Sequence, residues 1–471
     1  MDWLCLGHAT WLAEAGGLRL LFDPLLGPAH HGGVFEVVPR RTLVAEALRP
    51  DFILVSHRHP DHFDVPSLRR LLALDPEVVV VTPDPLVAWA CEQLGARSVR
   101  LVGPGHRVAL DGVALVTTPS LAPDEWGAMV ATADGVVWNQ VDTVLTDATH
   151  VRRVVATCLN ALASDRLASS DATTDYLQTN HLQTDDAAGR LTLALVRWQP
   201  LLEVAAQLGR RTGFPYREYA ALLDAVVATG ARAVVPSAAG EAHTRPWTTM
   251  NQRVYPVGEH RFLRDLAAAA PGIRGLPCRL GGRYRVRAGE VTFTPDVAAG
   301  LLVAHDPADP RNYHPLELEP VRDPGLGDVA ESTLRADVDA WIRGPLVRGL
   351  ARACAGGPSL RLALEVRFAA TVAAYTLITD GPNVRVERGL DDDWDALNVV
   401  AGSLLWEVLQ ARRHWGDVLL AGALRACTRA YHVDTAGLQP LALAEVFLYH
   451  GLSYDDSVRR AVERSVAAPG R

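Results

Sequence analysis

The sequence has little of what a nucleic-acid-binding protein or a membrane protein needs. Its 46 basic residues against 54 acidic ones give a net charge of -8, whereas nucleic-acid binders usually carry an excess of basic residues. No apolar run approaches the ~18 residues of a membrane span, and the N-terminus begins in strand-like sequence without the pattern of a signal peptide. We therefore expect a cytoplasmic protein that binds neither nucleic acid nor membrane.

The spacing of the cysteines indicates which disulfide and iron–sulfur chemistry the chain can have. The six cysteines are scattered along the chain without paired spacing, which in a reducing compartment indicates free, mostly buried thiols. No Cys-x-His followed by a second Cys-x-x-His occurs, so the sequence lacks the ligand set of a Rieske iron–sulfur cluster. A redox reaction catalysed by this chain would need electrons from a separate protein.

Three histidines and an aspartate within six residues form the most informative part of the sequence. His57, His59, Asp61 and His62 follow the apolar, β-branched run 52–56, which predicts a buried strand. The first two are two residues apart on an extended segment and can reach one ion, whereas Asp61 and His62 lie beyond a proline turn and can reach a second ion. The alternative is a solvated, histidine-rich loop, but the spacing favours a two-metal site.

This His-x-His-x-Asp-His motif at residues 57–62, placed after an apolar strand, resembles the signature of the metallo-β-lactamase fold. The resemblance extends to the N-terminus, where residues 1–13 and 18–22 read as strands and the second ends in Asp23. It implies an α/β protein whose catalytic domain is a four-layer αβ/βα sandwich. It also implies that Asp23 orients a metal ligand by hydrogen bonding, although a turn residue before proline is an equal alternative.

The resemblance implies further ligands downstream. The family places a third histidine on the first ion, but the equivalent segment here has Asp124 and Glu125 and no histidine. Diiron hydroxylases of natural-product pathways are similar in using glutamate there, which favours Glu125. A carboxylate makes the site harder and favours iron over zinc or manganese. Asp142 is expected to bridge the two ions, and Asp147 and His150 are alternatives that more simply cap a helix.

Residues 236–243 resemble a segment of the CMP-N-acetylneuraminate hydroxylase branch, here without its Rieske domain. His243 is then expected on the second ion, with His181 and His260 as competing imidazoles. Each ion would keep an open position for solvent or substrate. The implied ligand set places His57, His59 and Glu125 on one ion, Asp61, His62 and His243 on the other, and Asp142 between them.

Three more histidines are candidates for substrate binding or for support of the ligands. His8 lies in the first strand segment, and the paired His30 and His31 lie in the glycine-rich loop 27–33 that follows Asp23 and leads toward the metal end. An ordinary flexible loop is the alternative for His31.

The chain changes character beyond about residue 300. A proline-rich stretch is followed by strand patterns at 360–368 and 384–388 and helical patterns at 393–410 and 417–431. This combination weakly resembles a sterol-carrier-protein module, whose apolar positions could line a tunnel or simply form a core. The predicted organisation is a catalytic domain at 1–300, a linker at 301–325 and an α+β domain at 326–471.

Two reactions fit this reading. In the favoured one, the protein is a hydrolase of secondary metabolism in which hydroxide held by two divalent ions attacks an acyl-CoA-type thioester, or an ester, of a bulky apolar acyl group. Asp61 would then be both ligand and proton acceptor, and a CoA-linked small molecule is the expected partner. In the alternative, an iron pair activates dioxygen for hydroxylation with external electrons. A third alternative, a non-enzymatic protein that uses the same fold only for binding, is disfavoured. Burying three imidazoles costs desolvation free energy, and a site without a metal would have no reason to keep them.

Overall fold

The computed structural model describes residues 1–110, 112–163, 191–207, 213–305, 308–315 and 320–467. The chain divides into two compact units. The first contains Pro215–Tyr313 and nearly all described residues before them, and the second contains His314–Val433 and the residues from Leu438 onward. The change from one unit to the other lies inside the predicted linker.

The first unit alternates strands and short helices. Its strands are β1 (Asp2–Cys5), β2 (Trp11–Ala15), β3 (Leu18–Phe22), β4 (Ala29–His30), β5 (Phe35–Val37), β6 (Arg41–Leu43), β7 (Phe52–Leu54), β8 (Val79–Thr82), β9 (Ser98–Leu101), β10 (Arg107–Leu110), β11 (Val113–Thr118), β12 (Gly127–Thr132), β13 (Gly135–Asn139), β14 (Leu193–Val196), β15 (Ala233–Pro236), β16 (Glu241–His243), β17 (Arg274–Gly275), β18 (Arg283–Arg287), β19 (Glu290–Thr294) and β20 (Leu302–Ala304). Its α-helices are α1 (Ala45–Leu48), α2 (Val65–Leu74), α3 (Pro85–Gln93), α4 (Ala148–Ala163), α5 (Glu203–Gln207), α6 (Tyr216–Ala228) and α7 (Glu259–Ala269).

Two large sheets form the middle of this unit. Their strand orders are β19-β18-β1-β2-β3-β7-β8-β9 and β10-β11-β12-β13-β14-β15-β17. Apolar side chains of both sheets, among them Trp3, Trp11, Leu115 and Val137, share one buried core. A second core joins the other face of the first sheet to α1, α2 and α3, while α4 packs on β11 and α7 on β17. This confirms the predicted four-layer αβ/βα sandwich.

The first predicted strand differs from the structure in an informative way. Instead of one strand over 1–13, β1 and β2 form an antiparallel hairpin, separated by a tight turn. Gly7 has φ +100° and His8 has φ +52°, a left-handed conformation that glycine adopts without strain and that breaks a strand. His8 therefore lies in the turn at the end of β1 and β2, and not within a strand.

A three-stranded sheet, in the order β16-β5-β4, stands beside the two large ones. Its residues Glu241 and His243 pair with Val37 and Phe35, and His30 pairs with Phe35 from the other side. The sheet therefore brings three polar residues from distant parts of the sequence onto neighbouring strands.

The second unit is an α+β domain. Its elements are α8 (Glu331–Trp341), a π-helical turn (Ile342–Leu346), α9 (Val347–Ala353), β21 (Leu360–Arg367), β22 (Val372–Asp380), β23 (Asn383–Arg388), β24 (Ala396–Ala401), α10 (Gly402–Leu409), α11 (Trp415–Leu420), β25 (Leu424–Thr428), β26 (Tyr431–Asp434), β27 (Gly437–Pro440) and α12 (Tyr454–Ala467). Five of the strands form a sheet in the order β23-β22-β21-β24-β25, and Leu364, Val400 and Trp415 belong to its large core. No helix in the described parts of the chain has both the length and the apolar character that crossing a bilayer demands.

The helices predicted over 393–410 and 417–431 are partly wrong. β24 occupies the first half of the former range, where Ala396–Ala401 pairs with β21 on one side and β25 on the other. A central strand with both faces covered reads as a continuous apolar run, which periodicity alone does not distinguish from a buried helix. α11 ends at Leu420, and β25 follows it.

Candidate metal centre

The motif residues lie in the loop that leaves the carboxyl end of β7. α2 begins directly after this loop, with Asp64 as its N-cap accepting a hydrogen bond from the Ser67 backbone N–H at 2.9 Å and proline in its first turn. The strand and the capped helix therefore fix both ends of a loop only ten residues long, from 55 to 64.

A first group of possible ligands consists of His57, His59 and Asp142. One ligand atom of each lies within 4.8 Å of the others, and His57 Nε2 is 2.8 Å from His59 Nδ1. Asp142 reaches the group from the turn after β13, on the opposite sheet. This group joins the two histidines that the sequence assigned to one ion.

A second group consists of His8, Asp61 and His62. Asp61 Oδ2 is 3.1 Å from His8 Nε2 and 2.9 Å from His62 Nε2. His62 Nε2 is also 3.2 Å from Asp142 Oδ2. Asp142 thus lies between the two groups, in the position expected of a bridging carboxylate.

Asp23 supports the second group from behind. Its Oδ2 accepts from His62 Nδ1 at 2.9 Å and from Ser56 Oγ at 2.9 Å, while its Oδ1 accepts from the Ser56 backbone N–H at 2.8 Å. Asp23 is 1% exposed. A buried carboxylate on the Nδ1 side fixes the orientation of the imidazole and directs Nε2 toward Asp61 and Asp142.

Burial and the charges of neighbouring groups shift the pKa values of Asp61 and His62 in opposite directions. Burial alone would raise the pKa of Asp61, but the neighbouring His62 outweighs it and holds that pKa well below its usual range. Burial likewise acts against the charged form of His62, yet Asp61, Asp142 and Asp23 raise its pKa well above the ordinary value. Burial lowers the pKa of His57 to about 3, so this imidazole is neutral at pH 7 and available as a ligand.

Glu125 lies near the groups but belongs to neither of them. Its Oε1 accepts from Ser120 Oγ at 2.6 Å, and burial, followed by the charge of Asp142, raises its pKa. Asp124 instead turns to Arg58, with its Oδ2 3.1 Å from Nη2. Of the two acids considered as the histidine replacement, the buried one is Glu125, and its role as a ligand stays a prediction.

His243 is not brought to the second group. Its ring packs on Phe35 with centroids 4.4 Å apart, and its Nδ1 is 3.3 Å from the Tyr255 hydroxyl. His8 lies instead beside Asp61. His31 is more distant, with Nε2 4.0 Å from Asp61 Oδ1. Of the competing imidazoles, His181 lies outside the described residues.

One residue of the neighbourhood, Glu241, was not singled out from the sequence. It lies beside His30, which stacks against His8 with ring centroids 5.6 Å apart and has its Nε2 3.5 Å from Glu241 Oε2. Glu241 is two residues from His243 on the same strand, so strand alternation places both on one face. That alternation is the signal that could have identified Glu241.

The side chains fit a pair of divalent ions. Imidazole nitrogen and carboxylate oxygen are ligands that zinc, iron and manganese accept, and each group presents them within 4.8 Å of one another. Buried imidazoles and carboxylates gathered so closely are costly without an ion that binds them.

Comparison with known families agrees with this geometry. Residues 3–146 match the family model described as "Beta-lactamase superfamily domain", and this segment contains the 57–62 motif, Asp23, Glu125 and Asp142. Over these residues the chain is therefore similar to a beta-lactamase superfamily domain.

Individual relatives match over shorter segments. A UPF0173 metal-dependent hydrolase of Salinibacter ruber is 30% identical over 154 residues, which are 30% of this chain and 62% of that protein. The cytidine monophosphate-N-acetylneuraminic acid hydroxylase of Cricetulus griseus is 31% identical over 96 residues, covering 20% of this chain and 17% of that protein. The chain thus spans less than two thirds of the length of either relative.

Solved structures with similar folds are more distant in sequence. CmlA, a diiron beta-hydroxylase from Streptomyces venezuelae, is 16% identical and has a TM-score of 0.37, covering 61% of this chain and 54% of that chain. Sterol Carrier Protein 2 Like 2 of Aedes aegypti is 20% identical with a TM-score of 0.17, covering 20% of this chain and 88% of that chain.

Proposed function

We propose that the protein is a dinuclear metal-dependent hydrolase that cleaves a thioester, or an ester, of a bulky apolar acyl group. The observation that supports it most directly is the position of Asp142 between His57 and His59 on one side and His62 on the other. A carboxylate shared by two ligand groups suits a pair of ions that act on one substrate.

The proposed ligands are His57, His59 and Asp142 for one ion and His8, Asp61, His62 and Asp142 for the other, with Glu125 completing the first. Two divalent ions, iron above zinc or manganese, would lower the pKa of coordinated water toward neutrality and polarise the carbonyl oxygen of the substrate. Asp61 would be the proton acceptor for that water, through Oδ1, since Oδ2 is the oxygen in contact with His62. Asp23 keeps His62 in the orientation that this arrangement needs.

The proposed substrate class rests on the surroundings of Glu125. Leu121 and Val144 are 57% and 39% exposed, and a backbone hydrogen bond of 2.9 Å from Leu121 N–H to Val144 C=O holds them together. Both flank Ser120, the residue that donates to Glu125. This apolar rim beside the candidate metal centre suits an apolar acyl group, and coenzyme A is a suitable carrier for such a group in the cytoplasm.

A diiron oxygenase is the second candidate. Glu125 favours it, because a carboxylate in place of imidazole makes the site harder and suits iron. The hydroxylase of Cricetulus griseus is similar over 96 residues. Oxygenation would need electrons from a separate protein, since no Rieske ligand pattern occurs in the sequence.

One experiment separates the two functions. Protein purified from iron-supplemented cells is analysed for metal and then given aliphatic acyl thioesters with and without oxygen. We expect two ions per chain and release of free thiol under anaerobic conditions, and an Asp142→Ala variant should lose both. Oxygen uptake coupled to a hydroxylated product, with no anaerobic thiol release, would instead establish the oxygenase.

A pair of histidine variants tests the ligand assignment. His8→Ala should weaken binding of the second ion at least tenfold, since His8 Nε2 lies beside Asp61 Oδ2. His243→Ala should change it less than threefold, because His243 faces Phe35 and Tyr255. Competition with a chelating dye measures both affinities. The reverse order would restore His243 as the ligand and remove His8 from the site.

A further inference from the structure

Next to the candidate metal centre lies a second group of polar side chains that the hydrolytic proposal does not use. We name it the acidic subsite, and it consists of Glu241, Glu203, His30 and Tyr255. Glu241 is 9% exposed, and His30 is 3% exposed. Both residues belong to the three-stranded sheet, on β16 and β4.

The subsite directly adjoins the second ligand group. Gly240, which precedes Glu241, packs closely on the turn between β1 and β2, since a Cβ on it would lie 3.1 Å from the His8 Cα atom. The His30 ring stacks on the His8 ring. A molecule whose reacting end is at Asp61 could therefore place another of its groups against Glu241.

Arg311 is the cation beside the subsite, since its charge acts on Glu241 and its guanidinium carbon lies 5.5 Å from the centroid of the Tyr255 ring. The sequence contains no lysine, and among the residues that the structure describes no arginine forms an ion pair with Glu241 or Glu203. Arg311, the basic residue that faces this region, is already held by Asp309, with Nη2 2.6 Å from Oδ2, and by the Ala239 carbonyl oxygen. Its charge is therefore largely compensated.

The acidic groups also repel one another. After burial, the charges of Asp61 and Glu203 are the main factors that raise the pKa of Glu241, and burial raises the pKa of Glu203 to about 7. Uncompensated carboxylates in a buried site are costly, and binding of a cation removes this cost.

Two buried polar atoms of the subsite lack hydrogen-bond partners within the described chain. They are Glu203 Oε1 and His30 Nε2. Glu203 is held near Tyr255 because the preceding Leu202 N–H donates to the Val254 carbonyl at 3.1 Å. The subsite thus combines carboxylate oxygens with an imidazole nitrogen, which together suit an organic ammonium group.

We propose that the acidic subsite binds a primary ammonium group of the substrate, with Glu241 as its principal contact and Glu203 as the second. The reacting carbonyl of the same molecule then lies at the candidate metal centre. The inference deepens the proposed function and rests on it for the identity of the reacting group. The ammonium-binding step itself needs no turnover.

Binding is tested first with simple probes on the metal-loaded full-length protein. Isothermal titration compares hexylammonium with hexanol, which has the same chain length and no charge. We expect hexylammonium to bind at least tenfold more tightly, and Glu241→Gln to reduce that preference to less than threefold. Glu203→Gln should reduce it in part. Glu290→Gln is the matched control, since Glu290 is an exposed carboxylate paired with Arg232, and it should leave the preference intact.

Turnover supplies an independent comparison. The ratio of kcat/KM for 6-aminohexanoyl and heptanoyl thioesters should favour the amine at least tenfold in the wild type and fall toward one in Glu241→Gln. If neither thioester is cleaved, the hydrolase proposal fails while the titration still decides the subsite. Equal affinity of the wild type for hexylammonium and hexanol would overturn the subsite even if Glu241→Gln did not fold. Hexylammonium that binds only by displacing a metal ion would also overturn it, because the carboxylates would then be metal ligands.

Discussion

Asp23→Asn is the substitution that most directly tests how the second ligand group is held. Asp23 accepts three hydrogen bonds, two from Ser56 and one from His62 Nδ1. Asparagine has nearly the same shape and tolerates the positive φ of 42° at this position, so the backbone should remain as it is. Its amide, however, presents NH2 where one carboxylate oxygen was, and an N–H group of Ser56 or His62 then loses its acceptor.

The expected cost follows from that single lost acceptor. A hydrogen bond to a charged group contributes about 1.5–3 kcal/mol, and each 1.4 kcal/mol corresponds to about a tenfold change in affinity. Supporting carboxylates of metal-bound histidines typically change metal affinity by about 10–100-fold. We therefore expect Asp23→Asn to bind its second ion about 10–100-fold more weakly, while the first ion is affected less.

Competition with a chelating dye, followed ion by ion, measures this change, and circular dichroism checks the fold. Asp51→Asn is a suitable control because Asp51 is exposed, precedes β7 and accepts a hydrogen bond of 2.7 Å from the Arg19 N–H. A second-ion affinity of Asp23→Asn within threefold of the wild type would refute the claim that Asp23 orients His62.

Two further variants test packing and buried charge. In Gly127→Ala the new Cβ would lie 2.7 Å from the Asn139 carbonyl oxygen, so we expect the unfolding free energy to fall by about 1–3 kcal/mol. Urea unfolding measures this loss, and Gly258→Ala is the control because its Cβ would meet nothing within 4 Å. Equal stability of the two variants would contradict the prediction. Glu203→Gln tests how the folding stability depends on pH. Burial raises the pKa of Glu203 in the folded state from 4.5 to about 7. The contribution of Glu203 to folding stability is therefore complete below pH 4.5 and is lost as the pH rises through about 7. The variant should thus gain up to about 3 kcal/mol relative to the wild type between pH 4 and pH 8, and a pH-independent difference in urea unfolding would exclude it.

Local pattern was sufficient for the elements that carry the motif. β3 has the predicted bounds, Leu18–Phe22, and β7 begins at Phe52, where the predicted strand begins, because an apolar run acts over a few residues. The closeness of His57 and His59, whose Nε2 and Nδ1 atoms are 2.8 Å apart, also depends only on the geometry of a single short segment, and their role as ligands of one ion stays a prediction.

Long-range placement was not accessible in the same way. His8 reaches Asp61 only because the chain turns at Gly7 and returns as β2, and the sequence 1–13 reads equally well as one strand. The helix predicted over 393–410 is wrong in its first half for a related reason. Residues 396–401 form a central strand whose neighbours β21 and β25 are far away in sequence, and tertiary pairing overrides local propensity there.

The expected role of His243 as a ligand depends on which residue of β16 lies nearest to the candidate metal centre. Glu241 and His243 are on the same face of β16, which pairs with β5 so that Glu241 lies opposite Val37 and His243 opposite Phe35. That pairing places Glu241 against His30, which stacks on His8, and His243 against Phe35 and Tyr255. A motif can specify that this strand faces the candidate metal centre, whereas the choice of the residue nearest to it depends on two other strands. Because that residue is Glu241, whose pKa is raised by burial and by the charge of Asp61, the strand presents a carboxyl group beside Asp61 where an imidazole was expected, and the proposed ammonium-binding subsite rests on this exchange of one group for the other.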